Sequence, residues 1–336
     1  MDEESGSTGL ASRAALGAVA FLATLGILVG LAAVVDRVPG ASPPGSNLPS
    51  VRPSVRSGDP ALPSPSGSGL AGDPVLVGAG DIADCSQDGG AATARLLDGI
   101  PGTVFTAGDN VYPVGTTETF ATCYDREWGR HRARTRPAPG NHDWESGSLD
   151  AYLAYFGEAA TGPDGSSWYA YDLGTWHIIV LDSDCARVDG CGPDSDQGRW
   201  LAADLAATEA RCTMAIWHHP RFSSGHHGSD STVDPFWRAL YAAEADVVVN
   251  GHEHDYERFA PQDPDGDEDR ERGLRQFIVG TGGAALRAFE VALPNSELRL
   301  SVDHGVLAFT LRDGGYDWRF IPASTSITDA GTASCH

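Results

Sequence analysis

The sequence predicts an α/β domain in which short apolar strands alternate with amphipathic helices. The run "ADVVVN" is β-branched and bounded by polar residues, which is typical of a buried strand. Apolar residues recur at helical spacing in "QGRWLAADLAATEA", and "GGAATARLLDG" is also helix-like. This alternation implies βαβ units and a largely parallel sheet. A third observation is that polar side chains repeatedly follow the apolar runs, so we expect them to gather along one edge of that sheet.

The composition limits the classes of partner. The chain has 336 residues, of which 41% are apolar, and its net charge is −23. Such an acidic chain is unsuited to polyanions, so nucleic acid and anionic lipid are not expected as partners. The length allows one or two domains with a sizeable core.

The amino-terminal region predicts a membrane anchor followed by a linker. After a short tail, 1–13, residues 14–35 are uninterrupted apolar or small residues, longer than a signal-peptide core of about 7–15 residues. The acidic start favours an uncleaved transmembrane helix, and a cleaved signal sequence is the alternative. Residues 36–72 are rich in Pro, Ser and Gly, which predicts a disordered linker. We expect one catalytic domain over 73–322 and a tail over 323–336.

Five apolar runs are followed by polar side chains that suit a metal ion. Each group alone has an ordinary explanation as a turn, a cap or a polar loop. Together they supply carboxylates, an amide, a phenol and imidazoles, which suit hard to borderline cations, and they include no cysteine. The candidate ligands are Asp81, Asp109, Tyr112, Asn141, His218, His252 and His254.

The number of candidate ligands predicts two ions. One ion does not require seven side chains from five loops, whereas two ions that share a carboxylate do. Two metal ions about 3.5–4 Å apart can clamp a phosphoryl group.

These motifs resemble those of the calcineurin-like metallophosphoesterases, and among them the purple acid phosphatases. The matching stretches occur in the family's order: "GD" at 80–81, "GDNVY" at 108–112, "GNHD" at 140–143, "WHHP" at 217–220 and "GHEHDYER" at 251–258. The resemblance implies a four-layer αββα sandwich. Residues 304–322 read as two strands around a Gly-Gly turn, which would complete its second sheet.

The resemblance also implies a role for each site residue. One metal ion would be held by Asp81, Asp109, Tyr112 and His254. The other would be held by Asp109, Asn141, His218 and His252, with Asp109 bridging. Substrate would meet Asn141 and the catalytic residues His142 and His227. His142 would contact the phosphoryl group and His227, or alternatively His226, the leaving group.

One departure from the wider family concerns the identity of the metal. Most members have a histidine two residues after the first aspartate, where this chain has Ala83. Purple acid phosphatases also lack that histidine and use a tyrosine, for which Tyr112 is in place. A phenolate favours Fe(III), so we expect Fe(III) with divalent Fe, Zn or Mn. The alternative for Tyr112 is a packed aromatic side chain.

The resemblance implies hydrolysis of a small phosphorylated substrate. We expect a metal-bound hydroxide to attack a phosphate monoester directly, in a monomeric enzyme. A phosphodiesterase or nucleotide pyrophosphatase is the alternative within the same superfamily. A surface metal-binding protein without turnover is the alternative from a different class.

Six cysteines fit an oxidising compartment. Cys85 and Cys123 both follow strand ends on the edge that carries the site. Cys185 and Cys212 fall at opposite ends of their strands, beyond the roughly 4.4–6.8 Å that bridged Cα atoms span. The favoured pairs are therefore Cys85–Cys123, Cys185–Cys191 and Cys212–Cys335, and the alternative is free buried thiols.

The two indications of membrane orientation conflict. Arg13 precedes the apolar segment, whereas Arg37, Arg52 and Arg56 follow it, which by the positive-inside rule favours a cytoplasmic domain. The cysteines and the linker favour the opposite side, and the more distant arginines carry little weight. We expect a single-pass protein of the cell membrane with its catalytic domain outside the cytoplasm, or a secreted protein if the segment is cleaved.

Overall fold

The computed structural model describes residues 72–336. The predicted membrane segment, 14–35, and nearly all of the linker lie outside the described residues. Among the helices of residues 72–336, none combines the length and apolar character needed to cross a membrane.

Fifteen strands and seven α-helices make up the described residues. The strands are β1 (Val75–Ala79), β2 (Ala83–Asp84), β3 (Thr103–Ala107), β4 (Val111–Tyr112), β5 (Thr135–Ala138), β6 (Tyr169–Leu173), β7 (Trp176–Val180), β8 (Cys212–Ile216), β9 (Val247–Asn250), β10 (Tyr256–Phe259), β11 (Arg275–Val279), β12 (Ser296–Leu300), β13 (Gly305–Arg312), β14 (Gly315–Pro322) and β15 (Ala330–Ser334). The helices are α1 (Gly89–Asp98), α2 (Thr117–Thr119), α3 (Asp125–Glu127), α4 (Asn141–Trp144), α5 (Asp150–Phe156), α6 (Asp196–Ala207) and α7 (Asp234–Ala242).

The α/β class is confirmed, but thirteen of the fifteen strands form two mixed sheets rather than one largely parallel sheet, and β2 and β4 form a separate parallel pair. The first has the order β15-β14-β13-β1-β3-β5, in which β1, β3 and β5 run parallel. The second has the order β12-β10-β11-β9-β8-β7-β6, in which β7, β8, β9 and β11 run parallel. The predicted hairpin of 304–322 is present as β13 and β14, and it joins the first sheet beside β1.

The central strands β7, β8 and β9 of the second sheet bury both faces, which explains their nearly continuous apolar sequence. In β7, Ile178 and Val180 belong to a large apolar cluster that also contains β1, β3 and β13 of the first sheet. The alternate residue Ile179 belongs to a second cluster with side chains of α6 and α7. The second sheet is therefore packed between the first sheet and these two helices.

The end of the chain differs from the predicted tail. Residues 323–336 include β15, which pairs antiparallel with β14 at the edge of the first sheet. Cys335 is bonded to Cys212, the first residue of β8 in the second sheet. Local propensity does not predict this strand, because "AGTAS" has a single β-branched residue. Its pairing with β14 and the neighbouring disulfide therefore hold β15 in place.

All six cysteines of the described residues are paired. The bonds are Cys85–Cys123, Cys185–Cys191 and Cys212–Cys335, with Cα atoms 5.1–5.6 Å apart. These are the pairs that the sequence analysis favoured.

Candidate metal centre

The polar motifs meet where the carboxyl ends of strands from both sheets come together. Asp81, Asp109 and Asn141 follow β1, β3 and β5 of the first sheet, whereas His218 and His252 follow β8 and β9 of the second. Backbone contacts join the two groups: the amide of His252 donates to Oδ2 of Asp81 at 2.8 Å. The expectation of a single sheet edge is therefore wrong, although the residues it named are neighbours.

Three candidate ligands lie at sharp backbone turns. Asp81, Asp109 and His252 have φ values of 59°, 47° and 72°, in the left-handed region that non-glycine residues seldom occupy. Such conformations cost about 1–3 kcal/mol each and concentrate at functional sites. The turns direct the side chains away from the strand ends.

Two glycines make room for these turns. A Cβ atom on Gly108 would lie 2.4 Å from Nδ1 of His218, and Gly108 itself has a φ of 84°. A Cβ atom on Gly140 would lie 2.4 Å from Oδ1 of Asp109. Each glycine directly precedes a candidate ligand, and the absence of a Cβ atom there leaves space for the ligand side chains.

The first set of donors surrounds the hydroxyl oxygen of Tyr112. This oxygen lies 2.7 Å from Oδ1 of Asp81, 2.9 Å from Oδ2 of Asp109 and 3.2 Å from Nε2 of His254. Donor atoms about 3 Å apart are what one ion requires when it binds each at about 2.0–2.2 Å. All four side chains are buried.

The second set of donors surrounds Nε2 of His218. This nitrogen lies 3.2 Å from Oδ2 of Asp109, from Oδ1 of Asn141 and from Nδ1 of His252. Its other ring nitrogen bonds the carbonyl of Ala107 at 2.9 Å, which fixes the imidazole. The same oxygen of Asp109 thus belongs to both sets, the arrangement expected of a bridging carboxylate.

The electrostatics of the two sets fit a bound cation. Burial would raise the pKa of Asp109, but the His218 imidazole outweighs it and holds the pKa well below its usual range. Burial opposes protonation of His218, yet the neighbouring carboxylates of Asp109 and Asp81 raise its pKa to about 10. A proton thus balances the buried carboxylate here, and metal binding would replace it.

The electrostatics around Tyr112 also fit a bound cation. Burial, and then the negative charges of Asp109 and Asp81, raise the pKa of its hydroxyl well above the ordinary value. A phenolate in this environment would therefore need a cation beside it. The donors fit a metal ion, because phenol, carboxylate and imidazole groups are all common metal ligands.

His142 is placed to face the shared carboxylate. Its Nδ1 bonds the carbonyl of Pro113 at 2.6 Å, so that nitrogen carries the proton, and Nε2 lies 3.9 Å from Oδ2 of Asp109. Its ring packs 4.4 Å from that of Tyr112, and the side chain is 31% exposed. Asp143 holds the turn, because its Oδ2 accepts from the amide of Gly140 at 2.9 Å.

The structure separates the two histidines of "SSGHHG". The ring of His227 stacks on that of His252 with centroids 4.3 Å apart. His226 turns outward to bond Glu290, and its side chain is 55% exposed. The geometry favours His227 as the site residue. Burial, and then the charge of Arg287, lower the pKa of its imidazole.

The site also includes three residues that the sequence analysis did not assign to it. His219 lies 4.5 Å from the ring of His252, and burial with the nearby His218 cation lowers its pKa to about 4. Glu253 accepts from the amides of His227 and Gly228 at 2.8 and 2.7 Å. Arg287 lies beside His227. The tandem histidines of "WHHP" were a sequence signal for His219, whereas no sequence pattern marks a loop arginine such as Arg287.

Comparison with known proteins identifies the family of this chain. The family model described as calcineurin-like phosphoesterase matches residues 73–256, which is more than half of the chain and contains every candidate ligand. The chain belongs to the calcineurin-like phosphoesterases.

Within this family, the chain is similar to purple acid phosphatases. Purple acid phosphatase 21 of Arabidopsis thaliana is 30% identical over 202 residues, which are 52% of this chain and 44% of the relative. An uncharacterized protein of Mycobacterium tuberculosis is 31% identical over 172 residues, 43% of this chain and 31% of the relative. The chain thus spans less than half the length of these curated relatives.

Solved structures share the fold at lower identity. A purple acid phosphatase from yellow lupin (Lupinus luteus) seeds superposes with a TM-score of 0.60 at 19% identity, covering 78% of this chain and 54% of that one. The anchor protein of the inner membrane complex of Plasmodium gives the same TM-score at 15% identity, covering 78% and 88%. Both likenesses establish a metallophosphoesterase-type fold.

Proposed function

We propose that this protein hydrolyses phosphate monoesters at a dinuclear metal centre, as an acid phosphatase does. The observation that carries the proposal is the shared oxygen of Asp109, which lies 2.9 Å from the Tyr112 hydroxyl and 3.2 Å from Nε2 of His218. The family and the relatives named purple acid phosphatases support a metal-dependent phosphoesterase. The expected pair is Fe(III) with divalent Fe, Zn or Mn.

Each of the two donor sets would bind one metal ion. Tyr112, Asp81 and His254 would hold the ferric ion, and Asn141, His218 and His252 would hold the other, with Asp109 contributing to both sets. When bound, the ions acidify coordinated water and neutralise phosphoryl oxygens.

The protein's own side chains position the substrate. Asn141 begins α4 beside His142, whose Nε2 faces the shared carboxylate and donates to a phosphoryl oxygen when the ring is doubly protonated. His227, whose ring stacks on that of His252, would meet the leaving group. Its loop is held by Glu253, which keeps the imidazole stacked on a metal ligand.

A substrate screen tests the proposed activity. The purified full chain, loaded with iron and zinc, is assayed on phosphate monoesters, phosphate diesters and nucleotides between pH 4 and pH 8. We expect monoesters to be preferred and to be turned over in acid. A preference for diesters or nucleotide pyrophosphates would replace the proposal with the alternative of the same family, and metal binding without turnover would favour a non-catalytic surface protein.

We also propose that the domain lies outside the cytoplasm, tethered to the cell membrane. Three disulfides support this location, because structural disulfides persist in oxidising compartments. Protease added to intact cells should release an active fragment that begins within residues 37–72. Protection from external protease, with six free thiols, would contradict this orientation.

A further inference from the structure

Arg287 is a cation at the open side of the metal centre that the proposed mechanism does not use. Its Nη1 lies 2.6 Å from Nε2 of His227. Its backbone amide donates to the carbonyl of His254 at 3.0 Å, and Nδ1 of His254 bonds the carbonyl of Ala285 at 2.8 Å. The segment that carries Arg287 is therefore fixed directly to a candidate metal ligand.

The contacts lead outward from the metal centre. His218 is fully buried, its neighbour His252 is half-buried, and His227, stacked on His252, is 35% exposed. Arg287 follows His227 in this series and is itself half-buried. A substrate whose phosphoryl group reaches the ligands would thus direct its leaving group toward Arg287.

The present partner of Arg287 is a weak one for a guanidinium. In a chain with 46 acidic residues, no carboxylate of residues 72–336 forms a salt bridge with it, and the only side chain of that range it bonds is an imidazole. Arginine is permanently charged and offers a planar fork that matches carboxylate and phosphate. An anionic group of a ligand would therefore displace the imidazole.

We propose that Arg287 binds a second anionic group of the substrate, so that the enzyme prefers phosphomonoesters with a further phosphate or carboxylate on the leaving group. This inference rests on the proposed function for its substrate class. It also gives His227 a second role, because the imidazole keeps the guanidinium in place until the anion arrives.

Binding measurements test the inference without turnover. The metal-loaded full chain and its Arg287→Ala variant are titrated with orthophosphate and with pyrophosphate in a calorimeter. We expect the wild type to bind pyrophosphate more tightly, and Arg287→Ala to lose about 10- to 100-fold of that advantage, the range for hydrogen bonds to a charged group. Arg287→Lys, which keeps the charge without the fork, should lose less.

A matched control removes one arginine elsewhere. Arg95 is exposed on α1, and Arg95→Ala should leave the ratio of the two affinities unchanged. The inference is overturned if Arg287→Ala keeps the wild-type ratio. Equal weakening of both ligands is one such outcome, and it would mean that Arg287 contacts the phosphoryl group itself.

A kinetic comparison separates this inference from the proposed activity. Ethyl phosphate and 2-phosphoglycolate differ by one carboxylate. Because Arg287 contacts His227, Arg287→Ala is expected to lower kcat on both compounds, and it should lower kcat/KM for phosphoglycolate about 10-fold or more beyond the loss on ethyl phosphate, mainly through KM. No turnover of either compound by the wild type would refute the proposed function, and the calorimetry would still decide the role of Arg287. Equal kcat/KM losses on both compounds would refute the specificity role alone.

Discussion

The hydroxyl of Tyr112 lies 3.2 Å from Nε2 of His254, although 142 residues separate the two in sequence. The phenol comes from β4, which pairs with β2 in the small two-stranded sheet, and the imidazole comes from the loop after β9 of the second sheet. Their approach completes the first donor set, so the tyrosine provides the most direct test of the metal's identity.

Replacing Tyr112 with phenylalanine should remove one donor and preserve the packing of the ring. If a phenolate binds Fe(III), the oxidised wild type absorbs visible light through charge transfer, and Tyr112→Phe loses this band. Elemental analysis should find two metals per chain in the wild type and a lower iron content in the variant. Tyr155→Phe, which removes a hydroxyl bonded to Asp125 elsewhere, should keep both metal and colour. A coloured Tyr112→Phe protein with full iron content would exclude the phenolate ligand.

His142 and His227 should affect turnover without affecting metal content. Replacement of either with alanine should lower kcat about 10²–10⁴-fold, the range for general acid–base catalysis. His226→Ala is the matched control, because that side chain points outward toward Glu290. Near-normal kcat in His142→Ala would refute its assigned role, and a larger loss in His226→Ala than in His227→Ala would reverse the choice between the tandem histidines.

Gly140→Ala should damage the metal centre by crowding alone. The backbone of Gly140 has a φ of −131°, which alanine adopts freely, but the added Cβ would lie 2.3 Å from the amide nitrogen of Asp109. We expect the shift of Asp109 to reduce metal content and activity together. Gly192→Ala, where nothing lies within 4 Å of the added atom, should change neither. Wild-type metal binding in Gly140→Ala would show that the bridging carboxylate tolerates displacement.

The three disulfides should differ in their contribution to stability according to the loops they close. Cys212–Cys335 spans 123 residues and Cys185–Cys191 spans six. The chain-entropy relation gives about 5 kcal/mol for the first and about 2 kcal/mol for the second. Denaturant unfolding of the two double Cys→Ser variants should show this order. The reverse order would mean that anchoring the last strand contributes little.

His177 should make stability depend on pH. Its Nδ1 bonds Asp172 at 2.9 Å and its Nε2 bonds Asp204 at 2.8 Å, and these bonds, Asp204 first, raise its pKa despite partial burial. A raised pKa in the folded state means that the stabilisation is complete below the unfolded value of about 6.5 and is lost as pH rises through the folded value.

His177→Gln should therefore destabilise the protein more at pH 5.5 than at pH 9. We expect a difference of about 1–2 kcal/mol between the two pH values, measured by denaturant unfolding, because charged hydrogen bonds are replaced by neutral ones. His304→Gln, which alters a bond from the ring to the carbonyl of Ala284, serves as the control. A loss in His177→Gln that is the same at both pH values would show that the carboxylates do not hold a charged imidazole.

The sequence by itself determined the class of the fold and the residues of the candidate site. Both depend on local patterns: β-branched runs predict strands, and the side chains that follow them are the ligand types of hard cations. The resemblance to the family, which these motifs carry, implied that Asp109 belongs to both donor sets. Short-range geometry also favoured the bond between Cys185 and Cys191.

Only the tertiary structure decided how these parts meet. It distributed six of the seven ligands between two mixed sheets and placed Tyr112 in the small sheet of β2 and β4. It also turned the expected tail into β15 and placed Glu253 and Arg287 against His227. None of these has a local signature, because each depends on the approach of segments far apart in the chain. A loop arginine is identical in sequence whether it faces solvent or a substrate, and the meeting of loops from separate strands of the second sheet places this one beside the candidate metal ligands.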